Sequence, residues 1–208
     1  MRASVESATV LVQVACGFAR RPQHNDDYRA VSLVDAARAK AVKDRARAGN
    51  HIFVTGMVPY EIEYSDRTLA NINAARLQSV PSPMIKEVRS VPGLNAFSES
   101  WNACKMARDL GAKKIIVVSS DFYFKAYRQM WQAAARRNGL VAEIVEVTHG
   151  DLVSDKVWGF YSGVKAQILS RVAASSKLGH YLAKMIADRM TGKRATEGFK
   201  IDGHTTIG

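Results

Sequence analysis

The stretch KKIIVVSSDFYFKAYRQMWQAAARRNGLVAEIVEV, Lys113–Val147, decides the fold. Ile115–Val118 is a short, unbroken, β-branched apolar run introduced by two lysines, the pattern of a strand buried on both faces of a parallel sheet. Small polar residues follow it, Ser119, Ser120 and Asp121, and then about sixteen residues of helical composition that Gly139 ends. Val141–Val147 reads as the next strand, which completes a βαβ unit whose first strand is central. Ligands of open parallel sheets sit beyond the carboxyl ends of the strands, so Ser119, Ser120, Asp121 and Tyr123 fall where chemistry is expected.

Upstream, a helix from Asn95 or Phe97 to Leu110 spaces Phe97, Trp101, Cys104 and Ala107 along one buried face. A strand over Met84–Val88 precedes it and leads into Arg89-Ser90. The two prolines of VPSPM separate that strand from a helix that Ser65 or Asp66 caps and that runs to about Gln78. Before it come an acidic loop with Glu61 and Glu63, a strand over His51–Val54 and the exit turn Thr55-Gly56. A helix over Leu33–Ala48 is N-capped by Ser32, with Asp35 in its first turn as the helix dipole favours. Thr9–Ala15 is the first strand, Cys16-Gly17 its exit turn, and FARRPQHNDDYR the loop that follows.

Downstream, the loop THGDLVSD leads to two helices. Val157, Tyr161, Val164, Ile168 and Val172 keep helical spacing in the first; Leu178, Leu182, Ile186 and Met190 keep it in the second. These stripes are expected to cover the sheet or another subunit, as in a homo-oligomer built through the C-terminal helices. Five strands alternating with helices predict an α/β fold: a doubly wound, Rossmann-like, mainly parallel sheet with right-handed crossovers and added C-terminal helices. Residues 1–150 form the Rossmann-like domain, and residues 151–208 its helical extension and tail.

A chain of 208 residues can bury one good-sized core. No stretch approaches the roughly 20 apolar residues of a membrane helix. Glu6 and Gln13 interrupt the apolar N-terminal run, which therefore reads as a strand rather than a secretion signal, and the expected location is the cytoplasm. Two cysteines are too few for a disulfide framework or a self-contained zinc site. The formal net charge of +11 attracts anions, and the cations are spread along the helices rather than gathered in a block.

The order of these features resembles the YdcF/SanA/ElyC-like family of bacterial proteins over roughly Thr9–Val147. Glu87 and Ser90 match a glutamate and serine of that family, Asn95 and Glu99 match its Asn-started helix, and Ser120-Asp121-Phe122 match its later strand end. Tyr123 stands where the family has histidine, and Lys125 or Arg128 takes the place of its arginine. The resemblance implies a Rossmann-like fold that binds a nucleotide-like or otherwise anionic small ligand, with S-adenosylmethionine as a candidate cofactor. Tyrosine, with an unperturbed pKa near 10, is a poor proton acceptor at neutral pH.

Each candidate residue has two readings. Gly17 and Gly56 let a phosphate approach the backbone or simply make tight turns, since there is neither a GxGxxG nor a Walker A motif. Arg20 and Arg21 clamp an anion or are solvated. Glu99 accepts from a ligand hydroxyl or complements a helix dipole. Asp121 is a base or ligand contact or an N-cap, and Asp66 has the same pair of readings with capping favoured. His149 beside Asp151 makes an acid/base pair or a plain loop; Cys16 reads better as a small buried residue than as a nucleophile, and the remaining histidines lack metal-ligand spacing.

Two function classes follow. One is an enzyme, a transferase or hydrolase, acting on a nucleotide-like, S-adenosylmethionine-like or phosphorylated small molecule, with Asp121 and Glu99 at its centre. The other is a non-catalytic basic module for nucleic acid or a protein partner, for which Tyr123, Phe124, Tyr127 and Trp131 among Lys125 and Arg128 would serve as a stacking surface unless they are core. The strand-exit residues favour the first.

Overall fold

A computed structural model describes residues 9–14, 30–47, 49–56, 77, 85–93, 95–148 and 164–196. Five strands form one all-parallel sheet: β1 (Thr9–Gln13), β2 (Asn50–Val54), β3 (Ile85–Ser90), β4 (Lys114–Ser120) and β5 (Val141–Val147), in the order β3-β2-β1-β4-β5. The helices are α1 (Ala30–Arg45), α2 (Ala96–Asp109), α3 (Asp121–Arg137), α4 (Val164–Ser175) and α5 (Lys177–Thr196). This is the expected doubly wound α/β arrangement. The strand order reverses between β1 and β4, which makes their exits the switch point of the sheet.

Alternation along the strands separates two cores. Val10, Val12, Phe53, Ile115 and Val117 pack with Phe97, Cys104 and Ala107 of α2 and with Phe122, Met130 and Trp131 of α3. On the opposite face Leu11, Ile52, Val54, Ile116 and Val118 pack with Leu77 and with Ala39 and Val42 of α1. Strand β4 is interior, as its apolar run requires, and continues through both serines because Ser119 and Ser120 pair with Glu146 and Val147 of β5.

Three local expectations are corrected. Helix α1 starts at Ala30, so position 32 falls within the helix rather than at its N-cap, and Asp35 lies beyond the first turn. Strand β3 runs on to Ser90, because β2 pairs with it as far as Val54 opposite Ser90. Of the two alternatives for the bulky stripes of α4 and α5, the sheet and another subunit, the first is overturned, since Val164, Ile168, Leu178, Leu182 and Ile186 are all exposed. Ser170, Ala173, Gly179, His180, Ala183 and Ala187 face inward instead. Close helix approach selects small residues. A Cβ on Gly179 would lie 2.1 Å from the Val172 carbonyl oxygen. Arg137 of α3 donates to the Ala173 and Ala174 carbonyls, 2.6 Å each, and so satisfies the last turn of α4.

Gly179→Ala should therefore overpack the α4–α5 junction and cost about 1–3 kcal/mol, read from the urea midpoint. An unchanged midpoint would show that the two helices do not approach this closely.

Candidate functional site

Backbone hydrogen bonds carry the ladder one residue beyond the strands. The Val14 N–H donates to the Val118 carbonyl at 3.0 Å, that of Thr55 to Gln13 at 3.1 Å, and that of Val91 to Val54 at 2.8 Å. The exits of four neighbouring strands are thus fixed relative to one another. Alternation then sends the side chains of Thr55 and Ser119 to the α2–α3 face and that of Ser120 to the α1 face.

On the α2–α3 face the site is built around Glu99. Asn95 N-caps α2: its side chain accepts from Phe97 N and Ser98 N, both at 3.1 Å, and Ser98 Oγ accepts in return from Asn95 N at 3.3 Å. The Asn95 amide donates to Asp188 Oδ1 of α5 at 2.6 Å. Glu99 sits in the first turn, where the dipole favours a carboxylate, yet its side chain turns away from water and into the sheet edge. The Gly56 N–H donates to Glu99 Oε1 at 3.0 Å, and the Thr55 hydroxyl bonds the same carboxyl group. Gly93 closes the packing, since a Cβ there would lie 2.8 Å from Glu99 N and 2.9 Å from Glu99 Cγ.

Burial pushes the Glu99 carboxyl up to about 7, against the smaller opposing pull of the Gly56 N–H and Thr55. The unfolded chain ionises from about 4.5, so Glu99 favours the folded state most below that pH, and the contribution is lost as pH rises to about 7. Glu87 shows the opposite case. It lies on β3 three residues short of the exit, where Arg89, 2.7 Å away, holds its carboxyl below the usual range. That separation, roughly 10 Å of strand, keeps it out of the Glu99 cluster.

On the α1 face a charged group that the sequence reading passed over closes the switch point. Arg38 has no exposed surface. Its Nε and Nη2 donate to Ser120 Oγ at 3.0 and 2.7 Å, and its Nη1 donates to the Val14 carbonyl at 2.7 Å and lies 3.5 Å from Asp35 Oδ1. The guanidinium also stands 5.7 Å from the centre of the Phe122 ring. The signal was present in the sequence: Asp35 and Arg38 share the i, i+3, i+4, i+7 stripe of α1 with Ala39 and Val42, so two charges occupy core positions.

Asp121 is the first residue of α3, with Ser120 as the N-cap, and its Oδ1 accepts from Phe122 N at 2.8 Å. It stands at a groove of about 420 Å³ between α3, β5 and α4, with Lys125, Arg128, Glu146 and Arg171 among the lining residues. Arg128 and Glu146 are ion-paired. Tyr123 belongs to the core, where its hydroxyl accepts from Trp131 Nε1 at 3.1 Å. Ser90 ends β3, half-buried. The Ser119 hydroxyl is buried and has no hydrogen-bond partner among the described residues.

The structure therefore gathers Thr55, Gly56, Asn95 and Glu99 at one place and places Ser119, Ser120 and Asp121 at the switch point. It leaves Glu87 and Tyr123 apart from both. Gly17, Arg20, Arg21, Asp66 and His149 lie outside the described residues, as does Cys16. No cluster of metal-ligating side chains occurs among the described residues. Comparison with protein-family models, with curated proteins and with solved structures finds no match to this chain.

Arg38→Met should cost roughly 3–5 kcal/mol, because it leaves the Asp35 carboxyl buried beside an apolar side chain. The double variant Asp35→Leu/Arg38→Met should recover much of that loss in urea denaturation; equal losses in both would mean that the buried pair is not what stabilises the switch point.

Proposed function

We propose that this chain is an enzyme, a transferase or hydrolase, acting on a nucleotide-like, S-adenosylmethionine-like or phosphorylated small molecule bound beyond the C-terminal edge of its sheet. The observation that carries the reading is Glu99: a carboxyl group buried at the exit of β2 and lifted to about 7. Near neutral pH both of its protonation states are populated, which suits a group that gives and takes a proton in turn. Its Oε1 is anchored by a backbone N–H, and the missing Cβ of Gly93 gives the side chain its place against the loop. The buried Ser119 hydroxyl, without a hydrogen-bond partner among the described residues, supports a polar ligand at the same edge. Asp121 flanks the switch point as a ligand contact, and the +11 charge draws an anion toward it.

The resemblance to the YdcF/SanA/ElyC-like family supports the same reading through Ser90, Asn95, Glu99 and Ser120, and offers S-adenosylmethionine as the first cofactor to try. The setting we assign is the cytoplasm. Cys104, the described cysteine, is buried with its thiol pushed up to about 12 and is inert there. Among the described residues no helix is long and apolar enough to cross a membrane. The competing reading, a nucleic-acid module, needs rings on the surface, whereas Tyr123, Phe124, Tyr127 and Trp131 are all core.

A thermal-shift screen against nucleotides, S-adenosylmethionine, sugar phosphates and short oligonucleotides tests this proposal. One small molecule at about 100 times its Kd should stabilise the protein by roughly 2.7 kcal/mol, and Asp121→Asn should lose that shift. A response confined to oligonucleotides at low salt would contradict it, as would no response to any small molecule.

A further inference from the structure

The outward stripes of the C-terminal helices form an exposed apolar surface among the described residues. On α4, Val164, Ile168 and Val172 recur every fourth residue and are 73%, 55% and 38% exposed. On α5, Leu178, Tyr181, Leu182, Met185 and Ile186 follow the i, i+3, i+4, i+7, i+8 pattern of one helix face, and each is at least 43% exposed. Both helices are thus apolar on two sides: small residues face the domain and bulky ones face solvent. A soluble monomer rarely shows a contiguous apolar patch beyond a few hundred Å², and larger ones mark contact with a protein or a membrane.

Charge decides between those two. The other exposed residues of positions 164–189 are Lys165, Arg171, Lys177 and Arg189 with Ser175 and Ser176, and not one is acidic. The sole acid in that span, Asp188, is half-buried and already bonded to Lys184 and Asn95. A two-fold pairing with a second copy would bring these cations against their own images with no carboxylate on the face to answer them. An acidic lipid surface offers both the apolar depth and the anions that the face lacks.

We infer that the outer face of α4 and α5 is a docking surface for an anionic lipid bilayer. The helix pair lies in the plane of the headgroups, with its aliphatic side chains immersed and its lysines and arginines among the lipid phosphates. Tyr181 sits at the boundary, where an amphipathic ring is favoured. The protein lies on the membrane through this face without any of the described helices crossing it.

Co-sedimentation of the full chain with vesicles of phosphatidylcholine and phosphatidylglycerol, against phosphatidylcholine alone, tests this. The protein should pellet with the mixed vesicles, far less with the neutral ones, and progressively less as salt rises. Lys165→Ser/Lys177→Ser/Arg189→Ser should weaken partitioning roughly fivefold per cation removed. Leu182→Ser/Ile186→Ser should abolish it while circular dichroism stays unchanged, because both side chains are exposed and leave the core intact. Partitioning left unchanged by the cation variant, binding that survives Leu182→Ser/Ile186→Ser, or equal binding to neutral vesicles would overturn the inference. A lipid-free dimer that Leu182→Ser/Ile186→Ser dissolves would assign the face to a second copy instead.

Discussion

The guanidinium of Arg38 holds the C-terminal edge of this sheet together. It reaches the exits of β1 and β4 at once, through the Val14 carbonyl and the Ser120 hydroxyl, at the point where the strand order reverses. A buried arginine is tolerated only when its donors are satisfied and its charge is answered, and here Asp35, one turn earlier on the same helix, answers it. The pair therefore fixes the rotation of α1 as well as its distance from the sheet. It adds a side-chain tie to an exit that the backbone ladder between β1 and β4 already aligns.

The two faces of that edge are built differently. The α1 face is closed by a fixed, compensated charge. The α2–α3 face holds Glu99, whose buried environment supplies a backbone N–H and a hydroxyl among the described residues, so its proton is held to near neutrality. Glu87 makes the contrast plain. It is the same residue type, on β3 rather than at a helix start, with an arginine beside it, and its carboxyl shifts the other way. The two sides of the strand exit thus carry one buried, compensated charge and one carboxyl group held near neutrality.

The sheet was legible in the sequence because its signals are local. An apolar run of the length of Ile115–Val118, ended by small polar residues and followed by a helix of one length and a second run, leaves few alternatives to a parallel βαβ unit. Glu99 and Asn95 could be placed at a helix start, but the burial of Glu99 depends on Gly56 and Gly93, which lie 43 and 6 residues away in the chain. Arg38 was not found because a charged residue on a helix reads as solvated until its neighbours are known to be core. The C-terminal helices show a different limit: periodicity identified the bulky stripe correctly, but size and apolarity alone do not say which of two faces is turned inward. There the small residues won, because Gly179 and Ala173 let the helices approach more closely than leucines would.

The central claim, that the strand edge carries a proton-exchanging carboxyl, is tested most directly by following the Glu99 side-chain carbon resonance with pH by NMR, with Glu99→Gln to assign it. The account predicts an apparent pKa near 7, with a loss of stability as pH rises from about 4.5 to that value. Titration near 4.5, with stability indifferent to pH across that window, would mean that water reaches the carboxyl group and would contradict the account.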